Sequence, residues 1–478
     1  MTLFAGSEAA QIAGGELLAG PEAQITGVAI DSRQVQPGDL FVAIRGERVD
    51  GHAYVPVAAA RGAAAVLVDA ASPEWRLPAG VAVIRVADPV LALGRLGLYH
   101  RRRFPGLSVT AVTGSVGKTT TKDLTAAVLA QGFRLLKTEG NLNTEIGLPL
   151  TLFRLTPDAQ AAVLEMGMRG PGQIAYLASL AKPRVGVITN IGRTHLELLG
   201  SEENIMRAKA ELVAALPQDG FAVLNDDDPW TPAVAEHTRA RIIRYGWERG
   251  PAPRPDVTAA DVRGLGPAGT SFRLVTPAGA ADLLLPLPGR HNIANALAAA
   301  AVGHAWGLSP EQIAAGLAAA RISDKRLNVI EVGPVTVIND TYNASPVSTR
   351  AALEVLAGFQ AGRRLAVLGN MLELGEYAAA GHREVGAAAA AVGVDRLVCV
   401  GDLAADIAVG ACAAGLPAEH VTAVPDNQAA AAALAALVRP GDAVLVKGSR
   451  GMAMEQIVAA LEQQWGTAGG GAGEGSSR

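Results

Sequence analysis

Residues 113–120 read TGSVGKTT, a spacing of glycine, lysine and threonine that suits a polyphosphate. Gly114 and Gly117 let the backbone turn tightly with its N–H groups pointing inward, and Thr113, Ser115 and Val116 complete the loop. Lys118 adds a full charge to the partial charge of a helix N-terminus. Thr119 follows it, placed to offer a hydroxyl to the magnesium ion that accompanies phosphates, and Thr120 comes next. The common form of this loop carries a further glycine where Val112 stands, so this is a shorter variant. Glu165 ends the apolar run 161–164, and His195 follows the run 185–189 through Asn190-Ile191-Gly192. A carboxylate and an imidazole beside a bound polyphosphate are candidate ligands for its metal ion. Lys209 falls four residues after Ile205, on the face that Leu212 and Leu216 share. A lysine turned inward is desolvated; its neutral amine can then combine with carbon dioxide to give a carbamate, an anion able to hold a second magnesium ion. A lysine snorkelling to solvent accounts for the same spacing.

These residues need a parallel sheet to bring them together. The β-branched run 108–112 reads as a strand and 123–129 has helical apolar spacing, so the order is strand, glycine turn, helix. In open parallel sheets ligands bind beyond the carboxyl ends of the strands, which brings Gly114, Glu165 and His195 to one crevice. Ser201 is a good N-cap for the helix of Lys209, with Glu202 and Glu203 in its first turn. Runs 221–224 and 241–245 read as further strands, and 256–287 alternates as an antiparallel extension would. Residues 292–310 lack acidic and basic side chains and are rich in alanine, which fits a buried helix rather than a membrane span. Asn292 and Asn295 lie three apart on one face of that helix and suit the edge of an adenine; ordinary polarity at a helix start explains them equally well.

On either side of this segment lie two others. Residues 1–106 form a small α/β unit with strands at 25–30, 39–44 and 64–68. Asp31-Ser32-Arg33 and Asp50-Gly51-His52 follow strands there, where they suit a phosphate or a uracil edge or serve as ordinary turn residues. Residues 322–465 alternate helices with strands at 335–339, 365–368, 397–400, 421–424 and 443–446, a doubly wound pattern without a GxGxxG turn. Lys447-Gly448-Ser449-Arg450 ends the last of these strands, a cationic pair able to hold a carboxylate. The Gly/Ser-rich residues 466–478 read as a disordered tail.

Composition bounds the function. A chain of 478 residues suggests about three domains, here 1–106, 107–321 and 322–465. A formal charge of −4 gives no basic footprint for nucleic acid. Two cysteines, Cys399 and Cys412, without metal-ligand spacing suit a reducing cytosol, and residues 1–15 lack the pattern of a signal peptide. A GTPase reading would need Asn-Lys-x-Asp, and the chain contains no Asn-Lys pair.

Taken in order, TGSVGKTT (113–120), TEGNLNTEIGLPLTL (138–152), EMGMRGPGQI (165–174), NIGRTHLELLGSEENIMRAKAEL (190–212), GRHNIANALAAA (289–300) and DTYNASP (340–346) resemble the motifs of the Mur ligase family. The resemblance covers nearly the whole chain. It implies an α/β protein of three domains: a small one for a UDP-sugar substrate, a central P-loop-type domain for ATP, and a Rossmann-like one for the incoming amino acid or peptide. It implies that residues 113–120 with Asn292, Asn295, Arg326 and Asp340 serve ATP, and that Thr119, Glu165, His195 and Lys209 serve two magnesium ions, Lys209 as a carbamate. Lys118, His195 and Lys209 would be catalytic. Ser32, Arg33, Asp50, Gly51, His52, Asn141 and Asn143 would face the UDP substrate, and Tyr342, Asn343, Asn370, Lys447, Ser449 and Arg450 the acceptor.

Within the family, residues 368–375 (LGNMLELG) and 447–451 (KGSRG) look most like the branch that adds D-alanyl-D-alanine to UDP-MurNAc-tripeptide through an acyl phosphate. The diaminopimelate-adding branch carries Asp-Asn-Pro-Arg, which is absent; that activity, or another amide ligation of the superfamily, is the alternative. Asn370 stands where the branch usually has aspartate, and Asn339 where the family often has one, which leaves the acceptor's ammonium less charge compensation if Asn370 is its partner. The resemblance implies a cytoplasmic monomer whose partners are the nucleotide-linked tripeptide and the dipeptide, with no nucleic acid and no membrane segment.

Overall fold

A computed structural model describes residues 2–46, 49–194, 196–247, 254–322 and 325–466. The central sheet is all parallel, in the order Arg241–Tyr245, Phe221–Asn225, Val185–Ile188, Ser108–Thr113, Ala161–Glu165, Leu135–Lys137. Strands of such a sheet are covered on both faces. Val109 and Ala111 pack into one core and Val112 into the other. Glu165 lies opposite Val112 on one flank of the Ser108–Thr113 strand, and Ile188 opposite Thr113 on the other. The loop at 114–117 therefore leaves mid-sheet between Glu165 and the Thr189-Asn190 turn.

Two helices fix that loop from behind. Lys118–Leu129 starts at its end, and Arg290–Ala305 packs against this helix through small side chains, Ala296 to Val302 being fully buried. Leu124, Val128 and Leu129 are fully buried there, each aliphatic side chain contributing about 1.5–3 kcal/mol of transfer free energy. Residues 292–310 were expected to be one buried helix; the helix spans Arg290–Ala305, and Pro310 opens the next, Pro310–Ala318. The expected extension is a three-stranded antiparallel sheet, Thr258–Gly264, Thr270–Thr276 and Gly279–Leu285.

The N-terminal sheet has the order Glu16–Ala19, Ala82–Arg85, Ala65–Val68, Asp39–Val42, Gly27–Ala29, antiparallel only at the first pairing. The single strand expected at 25–30 is divided between two sheets: Gln24–Ile25 pairs with Phe4–Ala5, and Gly27–Ala29 with Asp39–Val42. One short run has two sets of ladder partners, and a side-chain pattern does not encode a partner. The C-terminal sheet runs Asn328–Val332, Val335–Asp340, Ala443–Lys447, Arg364–Gly369, Arg396–Val400, Val421–Val424, with an antiparallel first pair and parallel strands beyond it. Separate cores on its two faces make it doubly wound. Cys399 is buried and Cys412 exposed, both as free thiols. Among the described residues no helix is long and apolar enough to cross a membrane.

Candidate active site

A cleft of about 690 Å³ opens at the carboxyl ends of the central and C-terminal sheets. The central sheet's side supplies residues 115–120, Asn141, Asn143, Glu165, Thr189, Asn190, Lys209, His291, Asn292 and Asn295. The other wall carries Arg326, Asp340, Tyr342, Asn343, Glu373, Lys447 and Arg450.

The glycine loop is held by hydrogen bonds on both flanks. Val116 N donates to Asn190 Oδ1 at 2.9 Å, and Val116 O accepts from Asn190 Nδ2 at 2.9 Å and Thr189 Oγ1 at 2.6 Å. Ser115 Oγ accepts from Gly192 N at 2.9 Å and donates to Gly192 O at 3.0 Å. Thr113 is buried and donates to Met166 O at 2.9 Å. Gly114 and Gly117 have φ of 147° and 86°; a β-carbon would run into Thr189 at the first and Asn295 at the second.

Two lysines converge on one carbonyl. Lys118 Nζ donates to Gly114 O at 2.9 Å and Ser115 O at 3.3 Å, and Lys209 Nζ donates to Gly114 O at 3.0 Å. Lys209 is 2% exposed. Its burial, and then the Lys118 charge, hold its pKa well below the usual lysine range. Burial lowers the pKa of Lys118 as well, with Glu165 opposing the shift. This much positive character in a desolvated pocket favours an anionic ligand.

Glu165 is buried beside them. Its Oε1 accepts from Asn143 Nδ2 at 2.7 Å, while Oε2 is buried with no partner among the described residues. A bare buried oxygen of this kind costs about 1–3 kcal/mol or more, and a hard cation would satisfy it. Thr119 lines the same cleft. No group of three or more His, Cys, Asp and Glu gathers among the described residues, so a cation here needs a mixed oxygen set. His195 lies outside the described residues. Asn292 and Asn295 are buried and braced: Thr121 Oγ1 donates to Asn295 Oδ1 at 3.2 Å, Asn295 Nδ2 to Asn292 Oδ1 at 3.2 Å, and Asn292 Nδ2 to Pro288 O at 2.8 Å.

On the opposite wall, adjacent strands put Asp340 beside Lys447 in register. Lys447 Nζ donates to Asp340 Oδ2 at 2.6 Å and to Asn343 O at 2.8 Å, and the lysine is 2% exposed. The sequence reading pairs Lys447 with Arg450 as cations for a carboxylate; the structure commits Lys447 to Asp340 and leaves Arg450, 62% exposed, at the cleft. Guanidinium carbons of Arg326 and Arg450 lie 4.0 and 5.4 Å from the Tyr342 ring centre. Asn370 and Ser449 do not line the cleft. Asn370 Oδ1 accepts from Ala404 N at 2.9 Å, and Ser449 Oγ accepts from Leu372 N at 2.9 Å.

Known proteins resemble this chain in sequence and fold. Residues 24–101 match the Mur ligase family catalytic domain, 112–303 the Mur ligase middle domain and 325–450 the Mur ligase glutamate ligase domain. The chain is 40% identical over 461 residues to the UDP-N-acetylmuramoyl-tripeptide–D-alanyl-D-alanine ligase of Escherichia coli (strain K12), covering 96% of this chain and 98% of that one. The chain belongs to the Mur ligase family. A crystal structure of MurF from Acinetobacter baumannii superposes with a TM-score of 0.87 at 34% identity, covering 96% of this chain and 99% of that one. A MurF ligase structure from Thermotoga maritima in complex with ADP gives 0.79 at 29% identity, covering 92% and 97%.

Two parts of this Mur ligase depart from the expected grouping. Asn141 and Asn143 line the cleft, Asn143 on Glu165, whereas Ser32, Arg33, Asp50, Gly51 and His52 do not. In that second cluster Asp50 Oδ1 accepts from His52 N at 2.9 Å and contacts His52 Nδ1 at 2.7 Å, and Arg45 pairs with Asp50 at 2.6 Å and Asp69 at 2.8 Å. Arg33 is paired with Asp31 at 2.7 Å. Thr189, Asn190, His291 and Glu373 were not singled out from sequence. For Thr189 and Asn190 the signal was available, in their place at the end of a strand beside the loop.

His291 carries a pH prediction. Burial, helped by the Lys447 charge, lowers its pKa to about 4 from 6.5. The unfolded chain takes up this proton near 6.5 and the folded chain only near 4, so stability declines as pH falls through that window. His291→Gln is expected to flatten the pH dependence of the denaturation midpoint between those values. An unchanged dependence would remove His291 as its source.

Proposed function

We propose that the chain is an ATP-dependent ligase that adds D-alanyl-D-alanine to UDP-MurNAc-tripeptide, giving UDP-MurNAc-pentapeptide, ADP and phosphate in peptidoglycan precursor synthesis. The observation that carries this reading is the convergence of Lys118 and Lys209 on Gly114 O, beside the bare Glu165 oxygen, in a cleft shared with a second parallel sheet. The names of relatives similar over nearly their full length supply the acceptor.

A peptide carboxylate is a poor electrophile. Phosphoryl transfer from ATP turns it into an acyl phosphate, which the dipeptide amine attacks to give a tetrahedral intermediate that expels phosphate. In this chain the N–H groups of the loop and Lys118 would hold the phosphates, with Asn190 and Thr189 keeping the loop rigid, which is catalysis by positioning and electrostatics. Thr119, Glu165, His195 and a carbamate on Lys209 would hold two magnesium ions. When bound, they offset charge on the phosphates. The C-terminal wall would bring the amine to the acyl phosphate and keep water away; such orientation is worth roughly 7–11 kcal/mol of barrier. The residues at 32–33 and 50–52 would take the UDP end. Both walls of the cleft come from one chain, which fits a monomer, and two free thiols fit the cytosol.

Oxygen-18 in the terminal carboxylate of the tripeptide tests the route. One labelled oxygen is expected in the released phosphate, alongside formation of the pentapeptide. Pentapeptide with unlabelled phosphate would overturn the acyl phosphate. For the carbamate, Lys209→Ala is expected to lower turnover about 10–100-fold, the range for residues that tune a metal site, with partial recovery on adding a short-chain carboxylic acid. Full activity in the variant would contradict that role.

A further inference from the structure

The turn 189–192 grips the glycine loop, and that turn is itself held from behind by three residues with no assigned role. Two of them stand on neighbouring parallel strands. Asn225 and Tyr245 lie opposite each other in register, and Asn225 Nδ2 and Tyr245 Oη both donate to Thr189 O, at 2.9 and 3.1 Å. The third is a carboxylate. Asp228 lies three residues beyond Asn225, in the turn that leaves the strand Phe221–Asn225, and its N donates to Asn225 O at 3.1 Å.

Asp228 divides its two oxygens between two tasks. Oδ1 accepts from Trp230 N at 2.8 Å, a bond local to the turn. Oδ2 accepts from Ile191 N at 2.5 Å, 37 residues away in sequence. Capping the turn needs only the first of these. The residue is 8% exposed; burial raises its pKa, the two backbone bonds oppose the rise, and the Glu202 charge adds to it. A desolvated carboxylate is costly, and the Ile191 N–H is one of the two groups that hold it.

Ile191 stands at the centre of the grip. On one side Asn190 holds Val116 through its amide, and its carbonyl accepts from Ser115 N at 2.9 Å. On the other Gly192 exchanges hydrogen bonds with Ser115 Oγ. A shift of Ile191 therefore moves both contacts together. Lys118 Nζ moves with them, since it donates to the Gly114 and Ser115 carbonyls.

We infer that Asp228 is a positioning residue for phosphoryl transfer: by fixing Ile191 it sets where the glycine loop and Lys118 stand relative to the nucleotide phosphates. It acts through the backbone of the turn. A misplacement of about 1 Å far from the chemistry can cost about 100-fold in rate.

This inference rests on the glycine loop holding the phosphates of ATP, and its test separates the two. Turnover of the full chain with ATP, UDP-MurNAc-tripeptide and D-alanyl-D-alanine would be measured beside ADP affinity by calorimetry, for wild type, Asp228→Ala, Asp228→Asn and Asp226→Ala. The last is the control: Asp226 belongs to the same turn, and its carboxylate pairs with Arg244 at 3.0 Å. Asp228→Ala is expected to lower kcat about 10–100-fold and to weaken ADP about tenfold, with KM for the dipeptide unchanged and the control like wild type. Asp228→Asn keeps an oxygen for only one of the two N–H groups and is expected to fall between; it decides the matter if the alanine variant does not fold. A kcat or an ADP affinity within about twofold of wild type would overturn the inference. So would an equal loss in Asp226→Ala, which would mark a general loosening of the turn. A wild-type enzyme that binds ADP but does not turn over with the dipeptide would instead overturn the functional reading, and the ADP affinities would still decide the inference.

Discussion

Lys118→Ala is expected to lower turnover about 10³-fold, the upper end of what removing one preorganised donor to a developing charge costs. Lys118 Nζ rests on the carbonyls of Gly114 and Ser115, pointing its charge into the loop that would hold the transferring phosphoryl group. Arginine is expected to rescue little, because its planar fork replaces a compact point charge in a space shaped by the Gly114 and Ser115 backbone. The fold should not suffer. Burial already lowers the pKa of Lys118, and its charge disfavours that of Lys209, so the variant loses a repulsion as well as a donor. Phosphate release and calorimetry check both halves. Turnover within about tenfold of wild type would contradict the role, and a collapsed melting transition would show that the lysine mainly serves the fold.

Asp340→Ala is expected to destabilise the C-terminal domain by about 3–5 kcal/mol, the cost of leaving one partner of a buried ion pair alone. Lys447 is 2% exposed and, apart from Asp340, donates only to Asn343 O among the described residues. The Leu327 N contact, at 3.3 Å, is lost with it. Replacing both members, Asp340→Ala with Lys447→Met, is expected to recover most of the loss because no charge remains buried. Denaturant titration of the four proteins gives the coupling energy directly. A single variant within about 1 kcal/mol of wild type would mean that water reaches Lys447.

Local geometry was legible in the sequence and tertiary commitment was not. The glycine loop, Glu165 at its strand end and Lys209 on an apolar helix face follow from spacing, because strand ends and helix faces are local properties. Lys447 shows the limit. Its place at the end of a strand was readable, but whether its charge meets a ligand or Asp340 depends on which strand lies alongside. Asn370 and Glu373 show the same thing at shorter range: which of two residues in one loop faces the cleft is decided by a φ of 63° and by hydrogen bonds to Ser449 and His382. Edge strands give no clear alternation: Glu16–Ala19 has no buried position, and Asn328–Val332 has one, at Val332.

The most direct test of the whole account is acceptor-dependent phosphate release. The enzyme would be supplied with ATP, Mg²⁺ and UDP-MurNAc-tripeptide, and in parallel with D-alanyl-D-alanine, diaminopimelate or no acceptor. The account predicts sustained release with the dipeptide alone. Release with diaminopimelate, or at the same rate with no acceptor, would contradict it.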